Sequence, residues 1–575
     1  MRRYNTVAAC NRFATLSLRK VEMRRFLQIS GIVLLVFLGL VVGFFMYVKS
    51  VSTLQAPDLQ DKGLMSLKAE HRSHTDRRLG ESFLVLNPDG NWEMYLEGNA
   101  FRRGVVHGKL AEDLLYVQEK HFIDQIRELV PNESYLRFLK YLVGFFNRNM
   151  SKHVINEYQQ EIYGVAMHMP DTFDFVSQKY DRAMNYHAAH DIGHALQNLA
   201  LVGCTSFATE DEDGQLVVGR NFDFYVGDGF AENKIVALVK PDSGYAFLSV
   251  TWPGMIGVVS GMNQAGLTIT LNAAPSEVPT SSATPISILA REILQYAATI
   301  DEALAIAKKR QTFVSESLLI ASARDDAAAI IEKTPHEAHL FRPETFPLVC
   351  SNHFQSDALR DTELNQTWKE TSDSPYRYKL MHSLLDTASL HAEDLAEVLR
   401  HKGGVGGESL GLGNPMAINQ LIAHHGVIFK PSAGMAWVSS SPWQMGAFTA
   451  YDLNAIFGEI APQPGVSMSV DSLRIAPHPW VHTPAMQDFE RFRSWATFMQ
   501  QILRKRELLE DEQTLDDYIA LNPDYYLGYA LVGEYWLQRG EPQKARTYLE
   551  KALRKPLPYA SVKRDLNDLL DQAQR

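Results

Sequence analysis

One uncharged run dominates the hydrophobic pattern of the N-terminal part: Phe26 to Val48 reads FLQISGIVLLVFLGLVVGFFMYV. Its 23 residues are enough to cross a hydrocarbon core of roughly 30 Å as a helix. The other readings are a cleaved signal peptide and a buried core helix. No A-x-A pattern follows Val48 to support the signal peptide. Residues 49–80 are polar and mixed, the texture of a linker. Two alternating stretches, FLVL and WEMYLEG, then flank Asn87-Pro88-Asp89-Gly90 and predict a hairpin over 82–97. Over residues 105–200 apolar positions recur three and four apart, predicting helices.

At Leu201 the period shortens. GCTSFAT, QLVVGRNFDF, KIVALVK, YAFLSVTW and GLTITLNA predict strands separated by DEDG and PDSG turns. Residues 285–310 and 375–400 predict helices, LLIASAR, AAAIIEK and AHLF strands, and GVIFKPSAGMAWVSS a late hairpin. Strand clusters alternating with helix pairs predict an α+β core of sheets covered by helices. Within 526–557, Tyr529, Gly533, Trp536, Ala545, Leu549 and Ala552, with Pro556 and Pro558 near the end, follow tetratricopeptide (TPR) spacing. A single repeat does not make an array, so this end is expected to pack on the core or to form a helical cap.

Charge sharpens the membrane reading. The chain has 56 basic and 67 acidic residues, but residues 1–25 hold seven Lys/Arg against Glu22 alone. That basic flank predicts a cytoplasmic N-terminus with everything after Lys49 extracytoplasmic, periplasmic in a Gram-negative cell. Met23 would serve equally well as the start. The remainder carries 49 basic and 66 acidic residues, a net of −17, which argues against nucleic acid and against attraction to anionic lipid. Of the three cysteines, Cys10 lies beyond the predicted span, so a disulfide would have to join Cys204 and Cys350.

Cys204 carries the chemistry. Taken alone, a cysteine opening a strand among small residues reads as a buried structural thiol. Its company changes that. Cys204-Thr205-Ser206-Phe207 is followed by Arg220 sixteen residues on and Asp223 nineteen residues on. Gly261-Met262-Asn263-Gln264-Ala265-Gly266-Leu267 leads to Leu271-Asn272, and Ser351-Asn352-His353-Phe354 and Ser374-Pro375-Tyr376-Arg377-Tyr378 come later. Upstream, Glu97-Gly98, Arg103-Gly104 and His107-Gly108 precede the cysteine. Over roughly 90–455 this order resembles the N-terminal nucleophile (Ntn) hydrolases of the peptidase C45, or acyl-CoA:6-aminopenicillanic acid acyltransferase, family, related to choloylglycine hydrolases.

The resemblance implies a four-layer αββα fold and self-cleavage between Gly203 and Cys204. Chemically, that cut would free an α-amino group of pKa near ~8, a built-in base for the thiol. By resemblance, Asp223 orients the amine and Arg220 holds Asp223 and the substrate end. Asn272 and Asn352 donate to the oxyanion, and Arg377 supports the thiolate. Trp252, Met255 and Ile256 either wall an acyl pocket or form a core turn. No cofactor or metal is expected. His187, His190 and His194 have partial metal spacing, but a helical pro-segment is the preferred reading. Cys350 is either a small buried residue or a redox partner of Cys204, and nothing fixes the place of His424-His425.

The expected organisation is a basic cytoplasmic segment (1–25), transmembrane helix (26–48), linker (49–80), mostly helical pro-segment (81–203), catalytic core (204–455), connector (456–510) and TPR-like end (511–575). The expected activity is cleavage of a linear amide of an N-acylated amine or amino acid through an acyl-Cys204 thioester. Alternatives are acyl transfer to an amine, a non-catalytic scaffold binding a protein partner at the TPR-like end, and a papain-like hydrolase. The papain-like enzyme would depend on His353 or His424 and lacks its Q-x-x-x-x-x-C context here.

Overall fold

The computed structural model describes residues 4–59, 62–129, 132–188, 191, 203–279, 281–388, 390–509 and 511–574. Helix α1 (Tyr4–Val51) continues the apolar run back through the basic segment, where neither Gly nor Pro stops it. Its Leu27–Val51 portion is long and apolar enough to cross a membrane, and almost all of it is exposed, Val48 being buried.

The linker expected over 49–80 is instead largely docked. Leu54 N–H donates to the Asp181 carboxylate at 2.8 Å, and the Lys109 ammonium donates to Met65 O at 3.0 Å. Strands β1 (Glu70–His71) and β2 (Asp76–Leu79) then form the edge of a sheet. Their polar sequence hid them: β1 is the exposed edge, and in β2, paired on both sides, one of the two buried positions is Arg77, which pairs with Asp113 and lies 5.1 Å from the Trp92 ring centroid.

The hairpin of β3 (Ser82–Leu86) and β4 (Trp92–Gly98) follows as predicted. β4 pairs in parallel with β7 (Ile235–Pro241), from Trp92↔Ile235 to Gly98↔Pro241, so the segment before Cys204 supplies internal strands of the sheet. Antiparallel strands β8 (Phe247–Thr251), β9 (Ser260–Asn263), β10 (Leu267–Ala273), β11 (Glu316–Ser322), β12 (Ala327–Lys333) and β13 (Ala338–Phe341) complete eleven strands among the described residues. A second sheet of six runs β14 (Leu348–Cys350), β5 (Thr205–Glu210), β6 (Leu216–Phe222), β15 (His425–Lys430), β16 (Met435–Ser439), β17 (Phe448–Asp452).

Alternation along the strands divides the core. Phe83, Leu238 and Leu319 of the first sheet meet Val218, Val427 and Ala436 of the second. The first sheet's other face packs on α2 (Ala100–Leu110), α7 (Ile286–Tyr296) and α8 (Ile300–Lys309). The second sheet's other face packs on α9 (Ser374–Leu385) and α10 (Ala392–Leu399).

Before Cys204 the chain adds α3 (Glu112–Leu129), α4 (Glu133–Phe146), α5 (Asn156–Ala166) and α6 (Lys179–His187). α2 and α5 touch backbone to backbone: a Cβ on Gly164 would sit 2.6 Å from Val105 N. Arg103 fastens the pair from inside, donating to Glu161 at 2.5 Å.

The expected connector 456–510 contains α11 (Pro484–Lys505), whose Phe492 and Met499 pack with Tyr518 and Trp536 of the C-terminal helices. The amphipathic period of 484–505 thus belongs to the helical end. That end continues as α12 (Thr514–Ala520), α13 (Tyr526–Gln538), α14 (Pro542–Leu553) and α15 (Ala560–Gln574). It is fixed to the core at 409–414, where Ser409 Oγ donates to Asp524 at 2.7 Å and Leu412 N–H to Asn522 at 3.1 Å.

Candidate active site

Antiparallel pairing of β5 with β6 sets Ser206 opposite Arg220, so the arginine stands on the strand beside the cysteine. β10 and β14 bring Asn272 and Ser351-Asn352 in from the two sheets, and α9 brings Arg377. Cys204, Arg220, Asp223, Asn272, Asn352 and Arg377 are all buried. Hydrogen bonds join four of them directly: Cys204, Arg220, Arg377 and Asn352.

Arg220 Nη2 donates to Cys204 Sγ at 3.6 Å and also to Leu271 O. Its Nη1 donates to Ser260 Oγ and, at 3.1 Å, to Val259 O. It makes no hydrogen bond to Asp223 among the described residues, contrary to the expected hold on that carboxylate, because these acceptors take up its Nη donors. Arg377, which with Arg220 pulls the Cys204 thiol down, also has hydrogen bonds of its own. Its Nη1 donates to Cys204 O and Thr205 Oγ1, each at 2.8 Å, and its Nη2 to Asn352 Oδ1 at 2.7 Å. With Asp373 as counter-ion, it fixes the backbone of the nucleophile, while Arg220 is the cation at the sulfur.

Asn272 accepts from Ser206 Oγ at 3.0 Å and donates to Cys350 O at 3.0 Å. Asn352 donates to Ala273 O at 2.8 Å. Each therefore commits one amide proton to the scaffold and keeps its second. Asp223 differs: both carboxyl oxygens are buried with no hydrogen-bond partner among the described residues. Its main-chain carbonyl accepts from Gly203 N–H at 3.0 Å, which keeps it beside the Gly203–Cys204 junction. Burial pushes the Asp223 carboxyl up to about 8, against the pull of Arg377 and Arg220. Burial also pushes the Cys204 thiol up to about 11, opposed by Arg220.

Two contacts escaped the sequence. Gln420 Nε2 donates to Gly203 O, the carbonyl at the junction, at 2.8 Å. A Cβ on Gly203 would overlap that amide and displace it. The second contact concerns the 252–257 segment. His107 Nε2 accepts from Gly254 N–H at 3.1 Å and His187 Nε2 from Ile256 N–H at 3.0 Å, while His187 Nδ1 faces Ala183 O at 2.7 Å. Burial lowers both imidazoles to about 4, so they are neutral acceptors at ordinary pH. Both ring nitrogens of His187 are spent, which removes it from any metal set; His190 and His194 lie outside the described residues. His107-Gly108 was visible only as part of a motif, with no sign of what it holds.

Trp252 and Met255 share an apolar cluster with Cys204 and line a narrow pocket closed by Phe122, Phe224, Phe230 and Tyr186. Ile256 departs from the expected pocket wall: it turns into the cluster of Tyr158 and Ile162 on α5. Cys350 is a free, buried thiol in the core between the sheets, and Cys204 is also unbridged. His353 Nδ1 lies 2.8 Å from Ser374 Oγ, away from the sulfur's hydrogen-bonded neighbours. His424 and His425 meet Nδ1 to Nδ1 at 2.9 Å, and His425 Nε2 lies 2.9 Å from Ser260 Oγ, which ties the pair to the group that Arg220 bonds.

Residues 209–404 match the family model of acyl-coenzyme A:6-aminopenicillanic acid acyl-transferase. The family resemblance is shown over this segment. It holds Arg220, Asp223, Asn272, Asn352 and Arg377 and opens just beyond Cys204. An uncharacterised protein of Archaeoglobus fulgidus is 25% identical over 264 residues, 42% of this chain and 44% of its own length. The chain therefore spans less than half of that relative. Among solved structures, the chain is similar to a Caenorhabditis elegans ortholog of N-acylethanolamine-hydrolyzing acid amidase, with 17% identity and a TM-score of 0.29 over 40% of this chain and 93% of that one. It is also similar to a mutant of the conjugated bile acid hydrolase from Clostridium perfringens, with 13% identity and a TM-score of 0.31 over 44% and 93%.

Proposed function

We propose that this is a self-processing Ntn amidohydrolase, acting on linear amides of N-acylated amines or amino acids through an acyl-Cys204 thioester. The observation that carries it is the Gly203–Cys204 junction. A buried thiol beside Arg220 there adjoins a buried carboxyl without a partner, and Gln420 donates to the carbonyl to be attacked. Two sheets packed face to face with helices on both outer faces support the αββα assignment.

In the processing step Cys204 Sγ adds to the Gly203 carbonyl, the C–N bond breaks, and the acyl group passes to sulfur while the nitrogen takes a proton. Water then opens the thioester, leaving a Gly203 carboxylate and a free Cys204. The α-ammonium so formed is the partner that Asp223 lacks, and an opposite charge at hydrogen-bond distance lowers a buried carboxyl. In turnover the neutral amine takes the thiol proton and the sulfur attacks the substrate carbonyl. The second amide protons of Asn272 and Asn352 face the oxyanion, and the amine returns its proton to the leaving group. The apolar pocket of Trp252 and Met255 takes the acyl chain. Acyl transfer is the second reading, favoured by the description of the matched family: an amine then replaces water at the thioester.

We also assign α1 as a membrane anchor with the catalytic part extracytoplasmic, and the α13–α14 hairpin as TPR-like, its close crossing formed where Gly533 meets Leu549. Intact mass and N-terminal sequencing of the wild type beside Cys204→Ala provide the test. A fragment beginning Cys-Thr-Ser-Phe, absent from the variant, is expected, and a screen of N-acyl amides with and without amine acceptors follows. An uncut wild-type chain would end the Ntn reading.

A further inference from the structure

Among the described residues outside α1, α4 carries a run of exposed apolar side chains. Tyr135, Phe138 and Leu142 are each about half exposed, at 50%, 49% and 49%. Their three- and four-residue spacing puts them on one side of the helix. Phe145 extends that stripe and meets Phe44 of α1 with ring centroids 6.5 Å apart, while Tyr141 meets Phe45 edge-on at 5.0 Å. Gly144 admits the chain leaving α1 to close range: a Cβ there would lie 2.7 Å from Ser52 Cβ. The anchor and α4 are thus joined without an intervening tether.

Depth follows from helix geometry. Phe44 and Phe45 precede the end of the span at Val51 by about 10 Å at 1.5 Å per residue. A helix packed on those rings sits at the level where interfacial helices rest, ~5–10 Å into the headgroup and acyl boundary. Charge agrees, although the net −17 of the body obscures it. Residues 133–152 hold Arg137, Lys140, Arg148 and Lys152 against Glu133 alone. Arg148 lies 4.1 Å from the Phe145 ring centroid and Lys140 5.3 Å from that of Tyr141. These cations border the aromatic stripe; each donates to a main-chain carbonyl, Lys140 to Phe175 O at 3.2 Å and Arg148 to Phe145 O at 2.6 Å, and keeps further protons for a phosphate.

We propose that α4 is an interfacial membrane helix: its Tyr135–Phe138–Leu142 face is buried in the outer part of the bilayer that α1 crosses, with Lys140 and Arg148 at the lipid phosphates. The inference rests on α1 being a retained anchor, and the probes separate the two claims. The full chain carrying Cys10→Ser, Cys204→Ala and Cys350→Ser receives one cysteine at a time, Phe138→Cys, Leu142→Cys, Phe37→Cys in the span or Asp568→Cys on α15, each labelled with an environment-sensitive fluorophore. The proteins are reconstituted into phosphatidylcholine–phosphatidylglycerol vesicles with or without brominated acyl chains.

Labels at 138 and 142 are expected to be quenched at least twofold by brominated lipid, as at 37, with no change at 568. Quenching at 37 without quenching at 138 and 142 would overturn the proposal and leave the anchor standing. No quenching at 37 would remove the anchor and the proposal together. Energy transfer between 138 labels of two copies, without lipid quenching, would assign the face to a second copy instead. In a Phe138→Glu/Leu142→Glu protein, a label at Tyr135→Cys should lose its quenching while the melting temperature stays unchanged, because both positions are half exposed.

Discussion

At Gly203 the backbone carbonyl, the Gln420 amide and the thiol of the next residue lie together, so small changes there act on processing before they act on turnover. Gln420→Ala is expected to slow the appearance of the fragment beginning at Cys204 by ~10²-fold, the usual loss for one oxyanion donor, in a time course after cell-free synthesis. Gly203→Ala should stall it altogether, since the added methyl displaces that amide. Asp223 makes a different prediction. Its carboxyl titrates at about 8 in the uncut chain, above its ordinary value of 3.8, because burial opposes its charge. A raised carboxyl contributes fully below the ordinary value and loses that contribution as pH climbs toward 8. In a Cys204→Ala background, Asp223→Asn should therefore melt higher than its parent by a margin that widens from pH 4 to pH 8. With Cys204 restored, the same substitution should abolish turnover, as measured on a cleavable N-acyl amide.

Among the elements, the 252–257 segment is held from across the junction by His107 on α2 and His187 on α6. Each imidazole is lowered to about 4, so below the unfolded value of 6.5 the unfolded chain binds the proton more readily and stability declines from there down to about 4. Replacing both by glutamine should flatten that limb of a melting-temperature profile, removing about 3 kcal/mol of pH dependence per histidine. Much of this architecture was legible. The strands carrying Arg220, Asn272 and Leu318–Ile320 alternate or run apolar as sheet strands must. Arg220, Asp223 and the two asparagines stand at motif spacings around a cysteine. The illegible parts depend on partners distant in the chain. DRRL at 76–79 shows no apolar period because one of its two buried positions is Arg77, β4 gives no sign that it pairs in parallel with a strand beyond the junction, and Gln420 is one polar residue in a loop. The different contacts of Arg220 and Arg377 were hidden for the same reason: two cations near one cysteine differ in which acceptors surround them.

For the molecule as a whole, the parallel pairing of β4 with β7 decides what a cut at Cys204 separates. Residues 204–575 would lose their covalent link to α1 yet remain hydrogen-bonded through seven register pairs to a strand of the anchored piece. The larger fragment should therefore stay with the membrane through an alkaline carbonate wash and leave it only in denaturant, as followed by blotting both pieces. Before the cut, the polypeptide folds as one chain, by a first-order process that dilution does not affect. After it, the same eleven-stranded sheet can be rebuilt only by collision of two fragments, one of them confined to a bilayer. A processed molecule that opens once has little prospect of closing again, so its working lifetime is set by its rate of unfolding and not by an equilibrium.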